Sequence, residues 1–181
     1  MQGSFSKELQ TTVALVQEAS SLIRKFYRRG VDVDWKGQDD PVTVADRSAC
    51  ELLVKGLSKA FPEDSVLSEE LPMLNKGSKR VWCIDPLDGT REFIEGIDEF
   101  AVMVGLCVEG RPVLGVVDQP AVGLLFYAEK GAGAWSEQDG RVQALGVSSV
   151  ASPSQMTLAV SRSHRDPRVE KVMTGLNCSH S

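Results

Sequence analysis

The stretch from Val81 to Gly96, VWCIDPLDGTREFIEG, decides the interpretation of this chain. It begins with a short apolar run that is typical of a buried β-strand, and the run leads into two aspartates, Asp85 and Asp88. Two carboxylates at the end of a buried strand repel each other unless a positive charge lies between them. The stretch therefore indicates a strand that delivers acidic side chains to a cation.

The composition is that of a globular protein with an acidic balance. The chain has 181 residues, 42% hydrophobic and 25% charged, and its 20 basic and 25 acidic residues give a net charge of -5. This charge argues against a nucleic-acid polymer as partner, because proteins that bind one carry a basic face. Four scattered cysteines show no CxxC spacing, and there is neither a signal-like segment nor an apolar run of membrane-spanning length. We therefore expect a reduced, cytoplasmic protein.

Two helices are predicted before this stretch. Apolar residues recur at three- and four-residue steps through residues 7–29, which indicates an amphipathic helix that stops at Gly30. A second helix is predicted to begin after Thr43, because Thr43 is a good N-cap and Asp46 follows three residues later.

Strand patterns dominate the rest of the chain. Strands are predicted in SVLSEE (65–70) and at 81–84, and a β-meander with a hairpin turn at 109–111 follows Gly96. Helices followed by consecutive strands predict an α+β fold. In this layered fold the two N-terminal helices pack on a largely antiparallel sheet.

The chain is predicted to divide late in its sequence. We expect a metal- and phosphate-binding α+β domain at 1–152, and at 153–181 the start of a second α/β domain that is mostly missing because the chain is truncated at its C-terminus. Apolar surface left uncovered by that truncation predicts self-association.

Several carboxylates fall at the ends of predicted elements. Oxygen ligands without His or Cys select hard cations such as Mg²⁺, and a magnesium pair would both relieve the repulsion and attract a phosphate. Gly89 allows the backbone to approach a phosphate closely, and residues 88–95 predict a short helix whose free N–H groups point at an anion. The Thr90 hydroxyl is a candidate to bind the attacking water. The carboxylates are Asp40, Asp46, Glu69, Glu70, Asp85 and Asp88.

Each of these patterns also has a purely structural interpretation. Thr43 and Asp46 can form a helix cap alone, and Asp88 with Gly89 can be an ordinary turn. The pair at 69–70 can be a solvated loop. The functional interpretation is preferred because the patterns occur together and in order.

Three motifs in sequence carry a family resemblance. DPVTVAD (40–46), SEE (68–70) and DPLDGT (85–90) resemble the lithium-sensitive, magnesium-dependent sugar-phosphatase superfamily that includes inositol monophosphatases. DGTREF (88–93) and SRSH (161–164) are similar to the 3'(2'),5'-bisphosphate nucleotidases. These enzymes remove the 3'-phosphate of adenosine 3',5'-bisphosphate, a by-product of sulfate activation.

The resemblance implies a role for each matching residue. The carboxylates of Glu69, Asp85 and Asp88 and the carbonyl of Leu87 would bind two or three Mg²⁺ ions. Asp46 and Thr90 would be catalytic and activate the water that attacks phosphorus in line, without a covalent phosphoenzyme. The implied substrate-binding residues are Glu69, Leu87, Asp88, Gly89, Thr90, Ser161 and His164.

One departure from the family keeps alternatives open. Members of the family continue past this length and carry a Trp-Asp-type motif whose aspartate is a further metal ligand. Here Trp35, Trp82 and Trp135 are followed by Lys, Cys and Ser. Inositol monophosphatase activity, or a catalytically silent remnant that keeps the fold, are therefore the alternatives to a nucleotidase.

Overall fold

The fold is a layer of helices on a seven-stranded sheet. The computed structural model describes residues 6–29, 33–37, 40–160, 167–176 and 179–180. The helices are α1 (Lys7–Phe26), α2 (Val44–Ala60), α3 (Thr90–Glu95) and α4 (Pro167–Leu176), with a 3₁₀ turn at Pro153–Gln155. The strands are β1 (Val33–Gly37), β2 (Asp40–Thr43), β3 (Ser65–Ser68), β4 (Arg80–Asp88), β5 (Ala101–Val108), β6 (Arg111–Gln119), β7 (Leu124–Glu129), β8 (Gly133–Gln138), β9 (Arg141–Leu145), β10 (Thr157–Leu158) and β11 (Ser179–His180).

The main sheet has the strand order β3-β4-β5-β6-β7-β8-β9. Only the β3–β4 pair is parallel, and every other neighbouring pair in this sheet is antiparallel. Strands β1 and β2 form a separate hairpin, and β10 and β11 form a short parallel pair. The predicted α+β fold with a largely antiparallel sheet is confirmed.

The chain separates into two compact units, residues 1–145 and 146–181. The first contains α1, α2 and the whole seven-stranded sheet, and the second contains α4 with β10 and β11. The division predicted from the sequence, at 152/153, lies seven residues later and stays a prediction. In the part of the chain that the structure describes, no helix is both long and apolar enough to cross a membrane.

Helix α1 ends earlier than the sequence pattern predicted. It stops at Phe26 rather than at residue 29, and Arg28 already has a positive φ of 60°. The cause is tertiary: the Tyr27 ring packs 4.7 Å from the Phe100 ring, and its hydroxyl donates to Asp98 Oδ1 at 2.6 Å. The predicted stop at Gly30 lies outside the described residues.

Helix α2 begins as predicted. The Thr43 hydroxyl accepts from the Ala45 N–H and from the Asp46 N–H, and the Asp46 carboxylate accepts from the Thr43 N–H, so Thr43 and Asp46 form a capping box. Leu53 and Leu57 on its inner face are fully buried in the core between the helices and the sheet. The cap therefore fixes the start of the helix and the position of Asp46 at once.

Strand β4 is longer than predicted. The pattern indicated a strand at 81–84, whereas β4 runs to Asp88 with an irregularity between Asp85 and Asp88. The extension exists because β5 continues to pair, with Met103 opposite Asp85 and Ala101 opposite Asp88. Both aspartates are therefore held on a strand and not on a free loop.

The predicted hairpin at 109–111 is confirmed as the β5–β6 connection. Glu109 and Gly110 both adopt positive φ, 52° and 76°, which is the arrangement of a two-residue type I′ turn. This turn lies at the end of the sheet away from Asp88, because β5 starts beside Asp88 and ends at Val108.

Candidate active site

The parallel pair β3–β4 brings two acidic segments side by side. Ser68, the last residue of β3, lies opposite Ile84 of β4, and the Glu69 N–H continues the ladder by donating to the Ile84 carbonyl at 3.2 Å. Parallel strands end at the same edge of a sheet. Glu69 is therefore a neighbour of Asp85, although 16 positions separate them in the sequence.

The Asp85 carboxyl is under strong electrostatic pressure. Its pKa is raised to about 7, first by burial and then by the charges of Glu69 and Asp88 and a hydrogen bond with Glu69. The Leu87 N–H opposes this effect by donating to Asp85 Oδ1 at 3.2 Å. The protonated form of this carboxyl is therefore favoured far more than that of an ordinary aspartate. A cation beside it would relieve the repulsion and restore its charge.

A second carboxylate, Asp46, is bound to Thr90 across 44 positions of sequence. Thr90 Oγ1 lies 3.0 Å from Asp46 Oδ1, while Oδ2 accepts from the Thr43 N–H at 2.8 Å and from the Thr43 hydroxyl. Asp46 is only 1% exposed, and burial raises its pKa while these hydrogen bonds lower it. The pair is thus preorganised, with one carboxylate oxygen for the helix cap and the other for Thr90.

The Thr90 hydroxyl has two possible acceptors. Oγ1 is also 3.0 Å from the Leu87 carbonyl oxygen. A hydroxyl has a single proton to donate, and an ionised carboxylate is the stronger acceptor. With Asp46 ionised, the Thr90 proton points to Asp46, and the Leu87 carbonyl keeps its lone pairs for another partner.

Gly89 occupies a position that other residues fit poorly. Its φ of 82° is in the left-handed region, and a Cβ at this position would lie 2.7 Å from the Glu99 carbonyl oxygen. Glycine therefore lets the chain turn between Asp88 and Thr90. Helix α3, which begins at Thr90, has only six residues. A helix this short adds little dipole to anion binding, which leaves the free N–H groups of its first turn as the predicted contribution.

The donor set suits a hard cation, although the side chains do not yet converge. Among the described residues, no three His, Cys, Asp or Glu side chains are arranged so that they could hold one metal ion. Glu69 and Asp88 are exposed, and both already act on the Asp85 carboxyl, Glu69 through its charge and a hydrogen bond and Asp88 through its charge. All the candidate donors are oxygens, which fits Mg²⁺. Binding would replace the hydrogen bond between Glu69 and Asp85 with contacts from these carboxylates to a shared cation.

An apolar depression of about 540 Å³ adjoins these acids on the sheet face opposite the helices. Met103 and Gly105 of β5 and Val117 of β6 line it together with Glu69 and Asp85. The acids therefore lie at the border of an apolar surface. Ser161 and His164, which the resemblance assigned to substrate binding, lie outside the described residues.

One contact behind the acids was missed by the sequence analysis. Cys50 Sγ of α2 lies 2.7 Å from Ser68 Oγ at the end of β3. The signal that could have found Cys50 is its spacing of four residues from Asp46, which places both side chains on one face of α2. Nothing in the local pattern of SEE indicated that Ser68 would contact a helix.

The order of the three motifs, the seven-stranded sheet and the acids at the ends of β3 and β4 are together typical of one protein family. The model of the inositol monophosphatase family matches residues 6–180, and the chain belongs to that family. A histidinol-phosphatase of Chlorobaculum parvum is 44% identical over 129 residues, which cover 71% of this chain and 50% of that protein. The 3'(2'),5'-bisphosphate nucleotidase CysQ of Aggregatibacter actinomycetemcomitans is 34% identical over 169 residues, which cover 91% of this chain and 63% of that protein.

Solved structures agree with this assignment. The crystal structure of CysQ from Bacteroides thetaiotaomicron, described as a bacterial member of the inositol monophosphatase family, superposes with a TM-score of 0.78 at 28% identity. The match covers 97% of this chain and 72% of that one. The chain thus spans between half and about three quarters of the length of these three relatives.

Proposed function

We propose that this chain carries the metal- and phosphate-binding part of a magnesium-dependent phosphatase. The observation that supports the proposal most is the Asp85 carboxyl, whose pKa of about 7 reflects burial beside Glu69 and Asp88. Structural ion pairs usually place opposite charges together, whereas here like charges meet at a strand end beside a preorganised Thr–Asp pair. That arrangement is expected of a site that operates with bound cations.

The proposed ligands are all oxygen atoms. The carboxylates of Glu69, Asp85 and Asp88 and the carbonyl of Leu87 would hold two or three Mg²⁺ ions. When bound, the ions supply positive charge that lowers the pKa of the attacking water and neutralises the phosphate. Of these four residues, Glu69, Leu87 and Asp88 would also contact the substrate.

Thr90 and Asp46 would together accept or orient the proton of the attacking water. Since the Thr90 proton points to Asp46 Oδ1, the Thr90 oxygen presents its lone pairs to the water and accepts a hydrogen bond. This orients the water oxygen toward phosphorus; as the P–O bond forms, the water proton would pass to Thr90 Oγ1 while the Thr90 proton passes to Asp46 Oδ1, which neutralises the Asp46 carboxylate. The backbone at Gly89 and Thr90 would contact the phosphate, and Ser161 and His164 would contact the rest of the substrate.

We propose adenosine 3',5'-bisphosphate as the substrate, with loss of its 3'-phosphate. The support is that two relatives similar along more than 90% of this chain are CysQ proteins, one of them named a 3'(2'),5'-bisphosphate nucleotidase. Histidinol phosphate is a second candidate, because the relative with 44% identity is a histidinol-phosphatase. The family name favours an inositol phosphate as a third.

The test compares phosphate release from these three substrates with and without Mg²⁺. We expect Mg²⁺-dependent turnover that is fastest on adenosine 3',5'-bisphosphate and suppressed by Li⁺. Preference for histidinol phosphate or inositol phosphate would replace the substrate and keep the chemistry. Turnover without Mg²⁺ would contradict the proposed site.

Matched variants separate the roles within the site. Thr90→Val keeps the side-chain shape without the hydroxyl, so kcat should fall about 100-fold or more, whereas Thr90→Ser keeps the hydroxyl and most of the activity. Asp88→Asn should abolish turnover. Full activity of Thr90→Val would refute the role of the Thr90–Asp46 pair. If this chain is silent but a chain extended to the length of its relatives is active, the catalytically silent alternative holds for the shorter chain.

A further inference from the structure

We infer that the contact between Cys50 and Ser68 positions Glu69 for metal binding, so that Cys50 and Ser68 are positioning residues of the site. The inference rests on the proposed function, because Cys50 and Ser68 matter only if Glu69 is a magnesium ligand. Neither residue touches the reacting atoms. Their effect is transmitted through the backbone that carries Glu69.

Helix α2 supplies one side of the contact. Cys50 follows Asp46 by four residues, so both side chains lie on the inner face of α2, and both are almost completely buried. The capping box at Thr43 fixes the first turn of this helix. Cys50 is therefore held at a fixed distance from the Asp46 carboxylate that contacts Thr90.

Strand β3 supplies the other side. Ser68 is its last residue, and Ser68 Oγ lies 2.7 Å from Cys50 Sγ and accepts from the Glu70 N–H at 3.3 Å. The Glu70 N–H is also hydrogen-bonded to the Cys50 sulfur. One helix side chain thus contacts residues on both sides of Glu69 in the sequence.

The Glu69 backbone is consequently held from two directions. Its own N–H donates to the Ile84 carbonyl of β4, next to Asp85, and the residues flanking it are bound to α2. The Glu69 side chain is exposed, whereas the backbone that carries it is held on both sides. A fixed backbone limits how far this carboxylate can move away from Asp85, which reduces the entropy lost when it binds a cation.

The expected loss of Mg²⁺ affinity is taken from residues that hydrogen-bond to metal ligands in other proteins. Removing such a partner lowers metal affinity about 10- to 100-fold. Because Cys50 acts through Ser68 and leaves every ligand in place, we expect the lower end, about tenfold weaker Mg²⁺ binding. Maximal activity at saturating Mg²⁺ should fall much less, since the Thr90–Asp46 pair is unchanged.

The experiment measures Mg²⁺ affinity by titration calorimetry on the whole chain. Cys50→Ala and Ser68→Ala should each weaken binding about tenfold. Cys50→Ser replaces the thiol with a hydroxyl that reaches Ser68, so it should restore affinity to within about twofold. Ser48→Ala, the same truncation elsewhere on α2, should leave affinity unchanged.

Two further measurements distinguish positioning from packing. The double variant Cys50→Ala/Ser68→Ala should bind about as weakly as either single variant, because both remove one contact. Without Mg²⁺, amide hydrogen exchange at residues 68–70 should be faster in Cys50→Ala than in Cys50→Ser. If Cys50 and Ser68 served only the stability of the fold, Cys50→Ala and Ser68→Ala would lower the melting temperature without changing Mg²⁺ affinity.

The outcomes separate the positioning role of Cys50 and Ser68 from the proposed magnesium site itself. Equal affinity of Cys50→Ala, Cys50→Ser and the unaltered chain overturns the inference while the proposed magnesium site stands. Additive losses in the double variant also overturn it. If the unaltered chain takes up no Mg²⁺, the proposed function fails and the inference fails with it.

Discussion

Replacing Gly89 with alanine tests how tightly the turn between Asp88 and Thr90 is constrained. An alanine at φ 82° costs about 1–2 kcal/mol, because its Cβ approaches backbone atoms in the left-handed region. At this position the Cβ would also lie 2.7 Å from the Glu99 carbonyl oxygen and 3.2 Å from Phe100 Cα. Both contacts are with backbone, so no side chain can turn away to relieve them.

Besides the cost of the left-handed φ, the backbone must shift to make room for the alanine Cβ. Strain of this kind costs about 1–3 kcal/mol, so Gly89→Ala should lose about 2–5 kcal/mol of stability in total. Gly96 provides a matched control at the other end of α3. It has φ 74°, but a Cβ there meets nothing within 4 Å. Gly96→Ala should therefore lose only about 1–2 kcal/mol.

The assay is urea unfolding followed by circular dichroism and by tryptophan fluorescence, to which the fully buried Trp82 contributes. With a slope of about 2 kcal/mol per molar urea, the extra cost at Gly89 lowers the midpoint by about 0.5–1.5 M relative to Gly96→Ala. Gly89→Ala should also weaken Mg²⁺ binding, because the shift moves Asp88. Equal midpoints for the two variants would refute the argument from the Glu99 contact.

Two more predictions concern buried acids outside the site. Asp64, 6% exposed, accepts from Arg80 Nε and Trp82 Nε1, both at 2.9 Å, so Asp64→Ala should cost about 3 kcal/mol in urea unfolding. Glu109→Ala breaks an exposed ion pair and should cost far less. Burial raises the pKa of Asp118, so ionisation destabilises the folded state, and stability falls as pH rises through that pKa. Asp118→Asn should therefore be more stable than the unaltered chain at pH 7, with no difference near pH 3; a constant difference across this range would contradict the argument.

Local features were the ones that sequence could predict. The capping box at Thr43 and the turn at Glu109 depend on residues within four positions of each other, so the composition of a short segment specifies them. The strand order after Gly96 followed from the same kind of signal. Nothing beyond adjacent residues was needed for these predictions, and the structure confirms them.

Non-local features account for the differences. Helix α1 stops at Phe26 because Tyr27 packs on Phe100, which lies 73 positions further along the chain. Strand β4 continues to Asp88 because β5 pairs with it. Periodicity within a segment carries no information about such partners. No local pattern indicated the association of Thr90 with Asp46, since 44 positions separate the two residues; it was predicted from the chemistry of a hydroxyl and a carboxylate and from the family resemblance.

The Asp46 carboxylate shows why a structural and a functional interpretation of one motif need not compete. Oδ2 accepts the two Thr43 hydrogen bonds of the helix cap, and this fixes the rotation of the carboxylate plane. Oδ1 is thereby turned toward the Thr90 hydroxyl at 3.0 Å. An acceptor on a mobile side chain would lose entropy each time it oriented the hydroxyl, whereas here the cap has fixed the acceptor during folding. The helix cap is therefore part of what makes Thr90 a usable contact for the attacking water.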